Sequence, residues 1–270
     1  MTAQVPGAAQ VELARRLQER WDGPGFGVLE HRVLARESPG RGLAPLPDGA
    51  DVPIEELVRL GSGLLADLAV EATPVPSQAG RPSRRASRLV LAPSLDRLLL
   101  DAWSARVQLG SGVRWRRFVQ LRQVRDELPQ RADVLARAAR VGPRRVKVYV
   151  GAAADSKAAP LNGESLDLLR RVNPLLDLHV PERQRESTRA NAVRLLSGGP
   201  ERLLPVPTRN RDWVRGHARR IAGGLTAGGY SVVGDLDEFV AGVDAPPLRP
   251  EDVLDRLLEV VVRTVREEQS

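Results

Sequence analysis

Few residues in this chain are equipped for covalent chemistry, and their spacing narrows the options. Cysteine is absent, which removes thiolate nucleophiles, thiolate metal sites and any disulfide framework together. The three histidines, His31, His179 and His217, lie far apart in the sequence, so no imidazole metal site is expected. No G-x-S-x-G elbow occurs to present a serine nucleophile. His179 precedes Val180-Pro181 in a turn and makes a poor general base. His217 falls beside Val214 and Ile221 on a helical repeat and reads as a structural or surface histidine. Asp235, Asp237 and Glu238 follow Gly234. Two carboxylates so close suit a hard cation, but the better reading is an aspartate that caps a short turn.

Anion binding is the other chemistry an arginine-rich chain invites. The sequence holds 41 Lys+Arg against 34 Asp+Glu, a formal charge of +7. Only Lys147 and Lys157 are lysines. Arginine, alanine, glycine, proline and leucine in excess are also what a GC-rich genome writes, so most of this charge is credited to coding bias. A phosphate loop needs glycines between a strand and a helix, so that backbone N–H groups turn toward the anion. The Gly-Lys-Ser/Thr ending of such loops does not occur. Lys157, in Asp155-Ser156-Lys157, follows three alanines that resist the turn. Gly110-Ser-Gly112 follows a helix and reads as its stop. Arg211, Arg215 and Arg219 recur every fourth residue and form a stripe beside an apolar helix face. A solvated face with Glu and Asp partners is the first reading of that stripe. An anion or partner surface is the second. Nucleic acid comes last, because aromatic residues are 3% of the chain and no known reading module is present.

The elements that must position these residues follow from apolar periodicity and its breakers. A helix is expected over roughly Val5 to Asp22, with Val11, Ala14, Leu17 and Trp21 inward. Residues 23–53 are dense in Gly and Pro, and Val28 to Leu34 there suggests one short strand. Asp51 would cap a second helix through Ile54, Leu57, Val58 and Leu65, weakened by Gly61 and Gly63. Residues 73–87 read as a linker. Arg88 to Ala92 is a short buried strand. Pro93 and Ser94 open a helix with Leu95, Leu98, Leu99 and Trp103 inward. Trp115 to Val124 is another helix, and Pro129 starts a further one that ends at Gly142-Pro143. Arg145 to Val150 alternates and is the clearest strand. Asn162 caps a helix that Pro174 disturbs. An arginine-rich helix covers roughly 181–196. Thr208 caps a helix that Gly228-Gly229 stops. Tyr230 to Val233 is extended, and Pro250 opens a last helix along Leu254, Leu257, Leu258, Val261 and Val265.

Short strands that are each followed by helices predict a helix-rich α/β fold with a small parallel sheet. The division expected is a Gly/Pro-rich, partly irregular region over 1–60, an α/β domain over 61–245 and a terminal helix over 246–270. No run of eighteen apolar residues occurs, so no membrane span is expected. The first residues lack the pattern of a signal peptide. A soluble, cytoplasmic protein is the expectation.

The C-terminal half resembles a bacterial sulfotransferase-like family. The resemblance rests on Leu166-Asp-Leu-Leu-Arg-Arg-Val-Asn173, on Arg211-Asp-Trp-Val-Arg215 and above all on Gly229-Tyr-Ser-Val-Val-Gly-Asp-Leu-Asp237. It extends upstream through Leu64-Leu-Ala-Asp-Leu-Ala, Arg88 to Trp103, Trp115-Arg-Arg-Phe118 and the strand at 145–150, and so covers about residues 60–240. The resemblance implies a P-loop fold, truncated here, and the sulfate donor PAPS. It also implies a Gly-Thr-rich donor loop, a 3′-phosphate arginine and a serine eight residues on. Residues 1–60 hold no such loop, and the two phosphate positions fall on Pro93 and Asp101. A carboxylate at Asp101 would repel a phosphate that arginine would hold. The expectation is therefore a non-catalytic, sulfotransferase-like protein with a binding or accessory role and no bound cofactor. An active PAPS-dependent sulfotransferase with a rewired donor site is the alternative. An arginine-rich adaptor for nucleic acid or an acidic protein is a third, with a protein partner favoured over nucleic acid. Asn173 shares a face with Leu166, Leu169 and Leu176. Its amide must find hydrogen bonds if buried, and tying the following loop is favoured over ligand binding.

Overall fold

A computed structural model describes residues 7–36, 52–73, 89–151, 161–200, 202–242 and 245–269. The chain forms α1 (Ala8–Glu19), α2 (Phe26–Leu34), α3 (Ile54–Glu71), β1 (Leu89–Ala92), α4 (Leu95–Gln108), α5 (Trp115–Arg125), α6 (Val134–Val141), β2 (Lys147–Val150), α7 (Gly163–His179) and α8 (Glu182–Leu196). A 3₁₀ turn (Thr208–Asn210) then leads into α9 (Arg211–Ala227), β3 (Ser231–Val233), α10 (Leu236–Ala241) and α11 (Pro250–Gln269). The three strands make one parallel sheet in the order β1-β2-β3, with Val90 beside Val148 and Val148 beside Val232. This is the helix-rich α/β fold with a small parallel sheet. Val90, Ala92, Val148 and Val150 are buried on one face of the sheet. The alternate residues Leu91 and Tyr149 are only half-buried, and Val233 is exposed.

Local chemistry explains most helix starts. Ser94 Oγ accepts from Arg97 N at the head of α4 (3.4 Å), and Asn162 Oδ1 accepts from Ser165 N at the head of α7 (2.9 Å). Asp235 Oδ1 does the same for α10, so that aspartate is a cap. Two starts are displaced from their expected places. Pro129 leads a turn, and α6 begins only at Val134, capped by Asp133 Oδ1 on Ala136 N. Thr208 opens the 3₁₀ turn, and α9 begins at Arg211 with no side-chain cap. The expected cap Asp51 lies outside the described residues, and Pro53 holds the N-cap position of α3.

Three readings of the N-terminal helices need correction. Val28 to Leu34 is part of α2 and not a strand. Leu29 and Val33, four residues apart, are its buried positions, and that spacing is helical. Gly25, at φ 91, turns the chain into α2. In α1 the buried face is Ala9, Leu13, Ala14 and Leu17, while Val11 is exposed. Gly61 does not weaken α3 so much as let α11 approach it. A Cβ at Gly61 would lie 2.1 Å from Leu257 Cδ2, so the missing side chain is what lets Leu257 pack there.

Charged residues secure the ends of the core helices. Arg256 on α11 is 4% exposed. Its guanidinium donates to Ser165 Oγ on α7 and to the carbonyls of Leu196, Ser197 and Gly198 at the end of α8. Those carbonyls have no partner inside their own helix, and a cation there also meets the negative helix end. Nη1 of Arg256 lies 2.9 Å from Glu259 Oε1 but off the hydrogen-bonding direction, so that contact is purely electrostatic.

At the start of α11, Asp252 accepts from the Arg249 side chain and backbone and pairs with Arg202, which also reaches Glu164. The Arg249 side-chain bond comes first, with help from Arg202, in holding the Asp252 carboxyl down to about 2. A depressed folded pKa gives stability that is present above the ordinary value near 4 and is lost as pH falls toward 2. Asp252→Asn is expected to cost about 1 kcal/mol at neutral pH, because solvent screens part of the pairing. It should also make stability less steep below pH ~4. Urea titrations at both pH values test this, and an unchanged acid limb would contradict it.

Candidate functional site

In open parallel sheets the carboxyl ends of the strands are where ligands collect. Here β1 runs into Pro93 and Ser94, β2 into Gly151 and β3 into Gly234 and Asp235. Gly151 and Gly234 adopt φ 73 and 103, which leaves the strand ends close together. A Cβ at Gly234 would lie 2.6 Å from Val150 O. Carboxylates occupy the space around these ends. A Cβ at Gly151 would lie 2.5 Å from Glu238 Oε2, and one at Gly242 would lie 2.9 Å from Asp96 Oδ2. Asp96 is buried in the first turn of α4, where the helix dipole favours an anion. The seat that a phosphate would take at this helix end thus already has a carboxylate beside it.

The two phosphate positions implied by the resemblance behave accordingly. Pro93 is buried and offers no donor. Asp101 is half-exposed and pairs with Arg97 at 3.7 Å. Ser94 uses its hydroxyl as the α4 cap. These side chains do not fit the phosphates of PAPS. Lys157 lies outside the described residues. At the opposite end of the sheet an open depression of about 470 Å³ is bordered by Arg144, Arg145, Lys147 and Ser231. Its basic side chains are all exposed to water.

His217 is the nearest approach to a catalytic pair. It is 7% exposed, and its Nε2 lies 2.9 Å from Asp126 Oδ1 and 2.9 Å from Arg220 Nη2. Trp213 Nε1 donates to the same Asp126 oxygen at 2.9 Å, and the indole meets the imidazole edge-on at 4.8 Å. Asp126 caps α5 in the left-handed conformation, at φ 49. The indole N–H, then His217, hold its carboxyl below the usual carboxylate range. No hydroxyl is among the partners of this imidazole. The imidazole thus meets a carboxylate, a guanidinium and an indole. The cluster instead latches the end of α5 to α9. His31 and His179 are exposed on α2 and at the end of α7.

Asn173 is fully buried, and its Nδ2 donates to Val107 O (2.7 Å) and Ser111 O (3.1 Å). It therefore ties down the loop after α4, and not the loop that follows α7. Pro174 stays inside α7. Proline cannot bond the carbonyl four residues back, which is Arg170 O. Gly112 packs on that carbonyl and on the proline ring, since a Cβ there would lie 3.4 and 3.2 Å from them. Glycine, proline and asparagine together dock the 110–112 turn on α7.

The arginine stripe of α9 is not paired as expected. Arg211 donates to Val206 O at 3.5 Å. Arg215 and Arg219 are exposed, and neither meets a carboxylate among the described residues. Tertiary structure brings the nearby carboxylate Asp126 to Trp213, His217 and Arg220 on the other flank of the helix.

The fold and site define a helix-rich α/β protein with carboxylates of its own beside the carboxyl ends of its strands. Compared with known proteins, the chain matches no family model, no curated protein and no solved structure. Among the described residues no helix is long and apolar enough to cross a membrane. No group of three or more metal-ligating side chains occurs among them.

Proposed function

We propose that this chain is a sulfotransferase-like scaffold without transfer activity, serving a binding or accessory role. The observation that supports this most is the pair of carboxylates, Asp96 and Glu238, beside the strand ends. In-line transfer from an anionic donor depends on positioned donors and on positive charge at the transferring group. Carboxylates supply neither. Pro93 and Asp101 point the same way.

The alternative, an active PAPS-dependent sulfotransferase with a rewired donor site, makes the opposite prediction for one simple measurement. Thermal unfolding is followed with increasing 3′-phosphoadenosine 5′-phosphate. A ligand held at about a hundred times its Kd adds about 2.7 kcal/mol to the folded state. No change in Tm at millimolar ligand is the expected result. A Tm that climbs with ligand concentration would overturn the proposal.

A further inference from the structure

We propose that α5 and its flanks form a docking surface for an acidic protein segment that also carries apolar side chains. The proposal deepens the binding role suggested above, and the two fail separately: donor binding would sink the first and leave α5 untouched.

The charge on α5 is dense and all of one sign. Arg116, Arg117, Arg122 and Arg125 lie within its eleven residues, which include no acidic side chain. None of the four forms an ion pair among the described residues. On α1 and α7 arginines meet carboxylates, Arg15 and Arg16 with Glu12 and Arg171 with Asp167 and Glu55, whereas α5 has no acid of its own to meet its four. On α5 the guanidinium groups are gathered instead. Arg117 and Arg209 both donate to Gln120 Oε1, at 3.5 and 3.0 Å. Arg122 lies over the Phe118 ring at 5.5 Å. Burial, then Arg106 and Arg125, push its pKa down against a smaller opposing pull from Glu127. Like charges held together on a surface destabilise the free protein and are relieved by an anionic partner.

Exposed apolar side chains lie on α5 and in the segment that leads into it. Leu109 is 81% exposed and Val124 76%, the two most exposed large apolar residues described, and Val113 is 37% exposed. Leu109 and Val113 flank the start of α5, and Val124 is near its end. Arg117, Leu121 and Val124 are spaced to share one helix face, so cations and apolar groups alternate along it. This combination selects the occupant. Carboxylates pair with guanidinium in bidentate fashion, and apolar side chains of the same segment would cover Leu109 and Val124. A nucleic-acid backbone satisfies the arginines but buries no apolar group. Phe118 is buried under Arg122, and Trp115, stacked on it at 6.0 Å, is partly buried with its indole N–H held by Pro205 O, so neither offers an open platform for a base.

The test uses the full chain and three fluorescent probes read by anisotropy at low and high salt. The first is a peptide of glutamate and leucine at helical spacing. The second has serine for leucine at equal charge, and the third is oligo-dT of equal length. The first probe is expected to bind, and the second several-fold more weakly. Arg116→Glu/Arg117→Glu/Arg125→Glu should weaken the first by about tenfold or more. Val124→Ser should weaken the first probe but not the second. A matched triple glutamate variant at the exposed residues Arg144, Arg183 and Arg194 should bind like the parent. Oligo-dT binding as tightly as the first probe, equal binding of the two peptides, an equal loss in the matched variant or no binding at low salt would each overturn the proposal. Circular dichroism of each variant confirms that the fold is intact.

Discussion

Replacing Arg256 with methionine is expected to cost the fold about 2–3 kcal/mol. The side chain is buried, and its guanidinium serves Ser165 Oγ and three carbonyls at the end of α8. Methionine keeps most of the packing volume and removes every donor. Gly198 O then loses its donor, while Leu196 O keeps Ser165 Oγ at 2.8 Å and Ser197 O keeps only the longer bond from Arg263 at 3.5 Å, in a site that water reaches poorly. Arg256→Lys should recover only part of the loss. A single ammonium cannot span acceptors that a planar fork reaches together. Urea unfolding of the two variants measures both effects. A loss below about 1 kcal/mol for methionine would mean that the α8 carbonyls find other donors.

Asn173→Leu is the second large effect, with an expected loss of about 2 kcal/mol. Two hydrogen bonds to Val107 O and Ser111 O disappear. The Oδ1 of Asn173 is buried without a partner, so leucine also removes an unsatisfied acceptor, which offsets part of the damage. Asn173→Asp separates a structural role from a ligand-binding one. A carboxylate would face two carbonyl oxygens with no donor between them, and stability at neutral pH should fall further than for leucine. Stability of the aspartate variant should recover as pH drops and the carboxyl protonates. An aspartate variant as stable as the parent would contradict the geometry.

Caps and breakers were legible in the sequence because they act over three or four residues. Ser94, Asn162 and Asp235 each bond a backbone N–H two or three residues on, and the pattern of types alone announces that. The three strands and their parallel arrangement followed from short apolar runs separated by helices. The short run Val28 to Leu34 misled because apolar, partly β-branched segments of this length suit either element. What decides it is the packing of Leu29 and Val33, which periodicity over seven residues cannot resolve. The sites were harder to read for a further reason. Which arginines meet carboxylates depends on helices far apart in sequence, so Arg171 with Glu55 and Arg20 with Asp255 carry no local signal. The loop that Asn173 holds likewise precedes it by some sixty residues. The carboxylates beside the strand ends come from residues after β1 and after β3, and only the sheet brings them together.

The notch at Gly61 sets an order of assembly. Leu257, which packs against it, belongs to the last helix of the described chain, and α3 belongs to the first cluster of helices. During synthesis α1, α2 and α3 emerge early with an apolar face that α7 and α8 cover later and α11 covers last. The parallel strands also wait, since β3 joins β2 after three intervening long helices, α7, α8 and α9, have been made. Contacts this distant in sequence slow folding and leave early helices exposed for longer. The N-terminal helices should therefore depend on chaperone holding until residues 250–269 leave the ribosome.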